Sequence, residues 1–189
     1  MENNSSKIPD YNNVNLESKE LAFTYWGTMK YFQGLIRSSE LKAGLILSFY
    51  GILFNFVYKH IEDIKENNGD FWWFYALLVV WATLTIISMF FSVRTFIPRI
   101  MKEYKPNVFF FGDIISKFGD VNEFSKVFLH TNIDKKQLYD QLGQQIFINA
   151  KITTAKFGNV NKSVKFMMYS LVVLIVVAIV EIINAIFIL

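Results

Sequence analysis

The side chains with the most chemical content fall in three places. Leu138, Leu142, Gln145, Asn149, Ile152 and Lys156 follow alternating steps of four and three residues, which lines them along one helical seam with apolar ends and a polar middle. An amide carries two donors and an acceptor, so Gln145 and Asn149 suit either of two tasks. They can fix helix register or oligomer order inside a packed seam, as buried amides do in coiled coils, or they can read the edge of a small polar ligand. Earlier in the chain, Arg37, Ser38, Ser39, Glu40 and Lys42 cluster within six positions. Arg37 with Lys42 can hold a phosphate, the guanidinium in a bidentate role; the plainer use of the same residues is interfacial anchoring with an Arg37–Glu40 helix pair. Near the end, Glu181 and Asn184 occupy neighbouring turns of one face. An ionised carboxylate turned to lipid is costly, so Glu181 belongs against other helices, against water, or at the far interface.

Catalysis finds few parts here. His60 and His130 are the only histidines, one expected at a membrane edge and the other in a polar section, so no histidine triad or zinc cluster assembles. Cysteine is absent, which removes disulfides and thiolate metal sites. Neither a GxxxxGK nor a GxGxxG phosphate loop occurs. The sequence therefore predicts a protein that is not an enzyme and that needs no metal or cofactor.

The elements that must position these residues are helices, and three of them are expected to cross a bilayer. Of the 189 residues 53% are hydrophobic, and mean hydropathy is +0.30. Phe71 to Val93 runs 23 residues without a charge, when roughly 20 span the hydrocarbon; Trp72, Trp73 and Tyr75 supply its aromatic anchors. Ala43 to Tyr58 is shorter, at 16 residues, but Leu41 extends it while Lys42 and Lys59 snorkel at its ends. A third crossing covers Phe166 to Val180, with EIINAIFIL beyond it. The expected fold is an all-α integral membrane protein with three transmembrane helices. Its divisions are a flexible polar tail at 1–15, an amphipathic helix at 16–40, two crossings at 41–95, a cytoplasmic helical section at 96–165 and the third crossing at 166–189. The tail lacks the basic start and apolar core of a cleaved signal peptide.

Smaller features divide the section between the second and third crossings. Pro98 and Pro106 turn the chain away from the membrane. Asn107 to Phe118 and Val121 to Leu129 read as short helices split by Gly119 and Asp120, and Asn132 or Asp134 can cap a long helix that starts near Lys135 and runs without a stop into the third crossing. Basic residues set the orientation. Arg94, Arg99, Lys102 and Lys105 follow the second crossing, which places that section and the N-terminus in the cytoplasm and the C-terminus outside. From Pro98 to Lys165 eleven basic side chains face six acidic ones. Such an excess suits anionic lipid or an anionic ligand; its dispersal along the section argues against a nucleic acid partner.

Several stretches together resemble a known family. IRSSELKAGLIL enters the first crossing, RTFIPRI and NVFFFGDI follow the second, and LYDQLGQQIFINAKITTAKF precedes the third. In this order they are similar to the transmembrane effectors of the Pycsar anti-phage system, from about Arg37 to Leu189. One departure stands out: where the family has an Asp-x-Lys-Ala run, this chain has Glu40-Leu41-Lys42-Ala43. The resemblance implies an effector in the bacterial inner membrane that answers a cyclic pyrimidine mononucleotide, cUMP or cCMP, by impairing the membrane and causing abortive infection. It also implies that Arg37, Lys42, Asn107, Asp113, Gln145, Asn149 and Lys156, which match recurrent motif positions, are candidates for ligand contact; Glu181 and Asn184, by their place late in the third crossing, are expected to serve the membrane or a homo-oligomer. An effector for a cyclic oligonucleotide, a constitutive oligomeric scaffold and a standing channel are the competing expectations.

Overall fold

The computed structural model describes residues 18–59, 72–97 and 105–187, and every regular element among them is an α-helix. In chain order these are α1 (Ser18–Lys59), α2 (Trp72–Phe96), α3 (Phe111–Lys117), α4 (Val121–Ile133) and α5 (Lys135–Phe187). Three of them, α1, α2 and α5, are long and apolar enough to cross a membrane. The expected tail at 1–15, the loop from His60 to Asp70, and Pro98 with Arg99 and Lys102 lie outside the described residues.

Length follows from uninterrupted helix-forming sequence. α5 has 53 residues, a rod of about 80 Å at 1.5 Å per residue, and it passes Gly158 without a break. The amphipathic stretch and the first crossing are likewise one helix of 42 residues. Both rods therefore extend well past the thickness of a hydrocarbon core, roughly 30 Å.

What binds the rods is a repeat of seven. Met29, Ala43 and Tyr50 on α1, Phe74, Trp81, Ser88 and Thr95 on α2, and Leu142, Asn149, Lys156, Ser163, Ser170 and Val177 on α5 are all buried. Within each helix they stand seven residues apart, or fourteen between Met29 and Ala43. A sustained heptad keeps one stripe facing its partners along a left-handed supercoil. The stripe on α5 changes chemistry along its length, from Leu142 through Asn149 and Lys156 to Ser163, Ser170 and Val177. Outside, the apolar halves present Leu45, Ile52, Val79, Ile86, Ile175 and Ile179 as exposed side chains. An apolar exterior around a small and polar interior is how helices associate in lipid, where burial of hydrocarbon gives no driving force.

Cross-helix contacts fix the directions. Tyr25 meets Tyr139, Glu40 meets Lys156 and Tyr50 meets Ser170, so α1 and α5 run parallel. Ser88 meets Ser163 and Thr95 meets Lys156, so α2 runs against α5.

The short helices form a unit at the polar end. α3 starts at Phe111, later than the expected Asn107, because Asn107 to Phe110 closes a turn through Phe110 N–H to the Asn107 carbonyl at 3.1 Å. Gly119 takes a left-handed φ of 66°, which breaks the chain between α3 and α4. Asp120 then caps α4, accepting from Glu123 N–H at 2.8 Å. At α5 it is Asp134 that caps, accepting from Lys136 and Gln137 N–H at 2.9 and 3.3 Å; Asn132 donates to the Phe128 carbonyl within α4. An aromatic chain of Trp26, Phe109 and Phe128 ties the unit to α1, with successive ring centroids 6.0 Å apart.

Candidate functional site

The three rods meet at one buried ammonium. Lys156 is 5% exposed, and its Nζ donates to Glu40 Oε1 on α1 at 2.7 Å and to the Thr95 carbonyl on α2 at 2.6 Å. The second contact has a general cause: the last carbonyls of a helix lack intrahelical donors, and the C-terminal end of its dipole attracts a cation. Asn159, one turn on, reaches the Arg94 carbonyl at 3.4 Å. Thus α5 supplies the missing donors at the end of α2 while α1 supplies the countercharge. Glu40 pairs across the bundle with Lys156 rather than with Arg37 on its own helix.

Above this junction the interior is lined by hydroxyls. Ser88 Oγ donates to the Ser163 carbonyl and Ser163 Oγ to the Ser88 carbonyl, each at 2.8 Å. Ser92 Oγ lies 2.7 Å from Ser163 Oγ. Side chain to opposite backbone in both directions requires the helices to approach closely, which only small residues permit. Further along, Tyr50 and Ser170 hydroxyls pair at 3.1 Å.

Basic residues ring the level where polar and apolar halves join. Lys42 stands 5.6 Å from the Phe157 ring, Lys162 5.4 Å from Phe91 and Lys165 5.9 Å from Tyr169. These are cation–π distances, with the apolar stems laid along the bundle.

Below the junction the amides are only half satisfied. Gln145 and Asn149 are 7% and 6% exposed, and Gln145 Nε2 donates to Asn149 Oδ1 at 3.3 Å. Gln145 Oε1 and Asn149 Nδ2 have no hydrogen-bond partner among the described residues. A buried polar atom without a partner is expensive, so this stretch of the interface is held less firmly than the junction above it.

Asn107 and Asp113 serve the turn before α3. The fully buried Asn107 donates through Nδ2 to the Gln141 carbonyl at 2.7 Å and accepts through Oδ1 from Phe109 N–H at 2.8 Å. Its own N–H donates to Asp113 Oδ2 at 2.9 Å, and Gln141 Oε1 takes Val108 N–H at 2.9 Å. Asn107→Ala is therefore expected to release the 105–133 unit from α5 and to cost about 2 kcal/mol. Limited proteolysis in detergent should then cut between Pro106 and Asp134 at least tenfold faster (about 1.4 kcal/mol per factor of ten), and an unchanged cleavage rate would contradict the assignment.

The candidate ligand residues thus divide among several places. Gln145, Asn149 and Lys156 share the α5 seam, whereas Asn107 and Asp113 lie together in the turn docked on α5. Arg37 and Lys42 do not converge on one space, since five residues place them about 140° apart around a helix. Arg37 lines a groove of about 430 Å³ with Glu40, Gly44, Ser48 and Phe96, while Lys42 turns to Phe157. Glu181 is half-buried beside a largely apolar cavity of about 350 Å³ lined also by Leu53, Phe74 and Val177; the side chain of Asn184 lies outside the described residues. Among the described residues no cluster of three His, Asp or Glu stands where a metal could be held. Sequence reading missed Gln141 and Ser163. Ser163 extends the seam by one further heptad, a signal that was present, whereas nothing in the local pattern separates Gln141 from the other polar residues around it, Gln137, Asp140 and Gln144.

A family model described as the Pycsar effector protein domain matches residues 24–183. No curated protein and no solved structure shows significant similarity to the chain.

Proposed function

From the premise that the chain belongs to the Pycsar effector protein domain family, we propose that this anti-phage defence effector is gated by a cyclic pyrimidine mononucleotide, cUMP or cCMP. Gating impairs the integrity of the bacterial inner membrane and causes abortive infection. The chain catalyses nothing; it converts binding into helix movement, with its N-terminus and the polar ends of α1 and α5 in the cytoplasm and its C-terminus outside.

The observation that carries this reading is the continuity of α5. One rod bears the half-satisfied amides at its polar end, the Lys156 junction at its middle and the serine clasp in its apolar half. A ligand shifts an equilibrium only by binding one arrangement better than another. Contact along the polar part of α5 acts on the same helix that closes the bundle, and the buried hydroxyl stripe supplies a hydrophilic lining when the helices part. Homo-oligomers enlarge that lining.

Proteoliposomes loaded with a self-quenched dye test the proposal. Leakage is expected on addition of cUMP or cCMP and not of linear UMP or CMP, and a silent response to both cyclic nucleotides would sink it. A constitutive scaffold predicts instead that Asn149→Leu changes oligomer size with no nucleotide response at any stage.

A further inference from the structure

A cleft opens between α1 and α5 at the polar end of the bundle, beyond the level at which α2 ends against Lys156. Tyr25 of α1 and Tyr139, Asp140, Gly143, Gln144 and Phe147 of α5 line an open groove of about 520 Å³, within the range of about 300–1,000 Å³ typical of small-molecule sites. The five α5 residues form two adjacent rows at steps of four, Tyr139, Gly143 and Phe147 beside Asp140 and Gln144, which makes them one strip of the helix, offset from the buried seam. Tyr25 and Tyr139 face each other at 5.6 Å with planes tilted by 42°; Phe147 is 58% exposed at the mouth. Gly143 forms the floor, where a Cβ would come within 3.8 Å of the Tyr25 ring. Alanine fits that space, and any longer side chain fills it.

The polar rim is asymmetric. Asp140 Oδ2 accepts from Gln144 Nε2 at 2.9 Å, which leaves one carboxylate oxygen as an acceptor beside the second amide hydrogen as a donor. That order complements an exocyclic amino group next to a ring nitrogen, the N4–N3 edge of cytosine. A uracil edge sets a carbonyl against the carboxylate. Aromatic faces recognise any base by stacking, so the rings supply affinity and the rim supplies choice. An anionic phosphate is repelled by Asp140 and attracted by the exposed Lys136, which stands one turn earlier on the same face of α5.

We propose that this cleft is the nucleobase site, that it prefers a cytosine-type edge, and that an occupied cleft holds Tyr25 of α1 against α5 beside the half-satisfied Gln145–Asn149 pair. The assignment rests on the nucleotide-gated reading given above, and its test separates the two. Calorimetry of the full chain in detergent micelles with cCMP and cUMP compares wild type with Tyr139→Ala, Tyr139→Phe, Gly143→Leu and Asp140→Asn. Helix content and particle size are measured on every variant, and Tyr139→Phe, which keeps the ring, controls for loss of fold. The expected result is that cCMP binds wild type at least about fivefold tighter than cUMP, and that Tyr139→Ala and Gly143→Leu each weaken cCMP at least about tenfold. Tyr139→Phe stays within about twofold, and Asp140→Asn removes the preference. Nucleotide binding by wild type that survives Gly143→Leu and Tyr139→Ala overturns the cleft while leaving the effector reading intact; cUMP bound as tightly as cCMP overturns the edge assignment. No binding of either nucleotide overturns both the cleft and the reading it rests on.

Discussion

Lys156→Met is expected to lower the thermal midpoint of the detergent-solubilised protein by about 5–10 °C and to make proteoliposomes leak without nucleotide. Methionine keeps the apolar stem and removes the ammonium, so the loss isolates two contacts, to Glu40 Oε1 and to the Thr95 carbonyl. Breaking a buried pair by removing one partner costs about 3–5 kcal/mol, but the Glu40 side chain is 38% exposed and regains water. A loss of about 2–3 kcal/mol is the discounted figure, and about 2–4 °C accompanies each kcal/mol in a chain of this size. Glu40→Gln should cost less, near 1 kcal/mol, because an amide oxygen still accepts from Lys156. Pairing the two changes then gives a coupling approaching about 1 kcal/mol in a double-mutant cycle, nearly the whole cost of Glu40→Gln. Additive effects would mean that the ammonium serves the α2 carbonyl alone. An unshifted midpoint in Lys156→Met would remove the junction from the account.

Ser163→Leu is expected to act more strongly still. The Ser163 hydroxyl sits 2.7 Å from Ser92 Oγ and donates to the Ser88 carbonyl at 2.8 Å, so no volume remains for a branched side chain. Overpacking costs about 1–3 kcal/mol or more, and the lost interhelical hydrogen bonds add about 0.6 kcal/mol each. Ser163→Ala removes only the hydroxyl and should cost about 1 kcal/mol, which separates sterics from hydrogen bonding. Because the chain has no cysteine, Ser92→Cys is a clean reporter. Its thiol should react with a membrane-permeant maleimide at least tenfold faster in the Ser163→Leu background than alone. Equal rates would mean that α2 and α5 stay together despite the leucine.

How much of this was legible in the sequence depended on the range of the cause. Periodicity is local, so the three long helices, the split at Gly119 and a cap at Asn132 or Asp134 follow from spacing and turn chemistry; the structure selects Asp134. The seam from Leu138 to Lys156 was legible for the same reason. Its continuation to Ser163 stood in the same spacing, one heptad past Lys156, whereas Ser170 hides inside a strongly apolar run, where hydropathy outweighs a single hydroxyl. Pairing is different. Glu40 has Arg37 one turn away and an ordinary i, i+3 partner, yet it takes Lys156, 116 positions on; only the parallel register of α1 and α5 brings the two together. The turn at Asn107 was read as helix because two of the hydrogen bonds that hold it, Asn107 Nδ2 to the Gln141 carbonyl and Val108 N–H to Gln141 Oε1, run to a residue that no window of local pattern contains. The aromatic cleft was missed on similar grounds, since Tyr25 belongs to it only through the packing of two distant segments.

The repeat of seven on α5 also sets a rotational phase between its two ends. Each residue turns the helix by about 100°, so a single residue inserted near Gly158 would swing the half bearing Ser163 and Ser170 by that angle against the half bearing Asn149. Either half could still pack, but not both at once. An insertion of seven residues would return the faces to within about 20° of alignment while adding roughly 10 Å of length. The helix thus behaves like a keyed shaft: what passes between its ends is angle more than distance, and the spacing of the stripe carries that information as much as the identity of any residue in it.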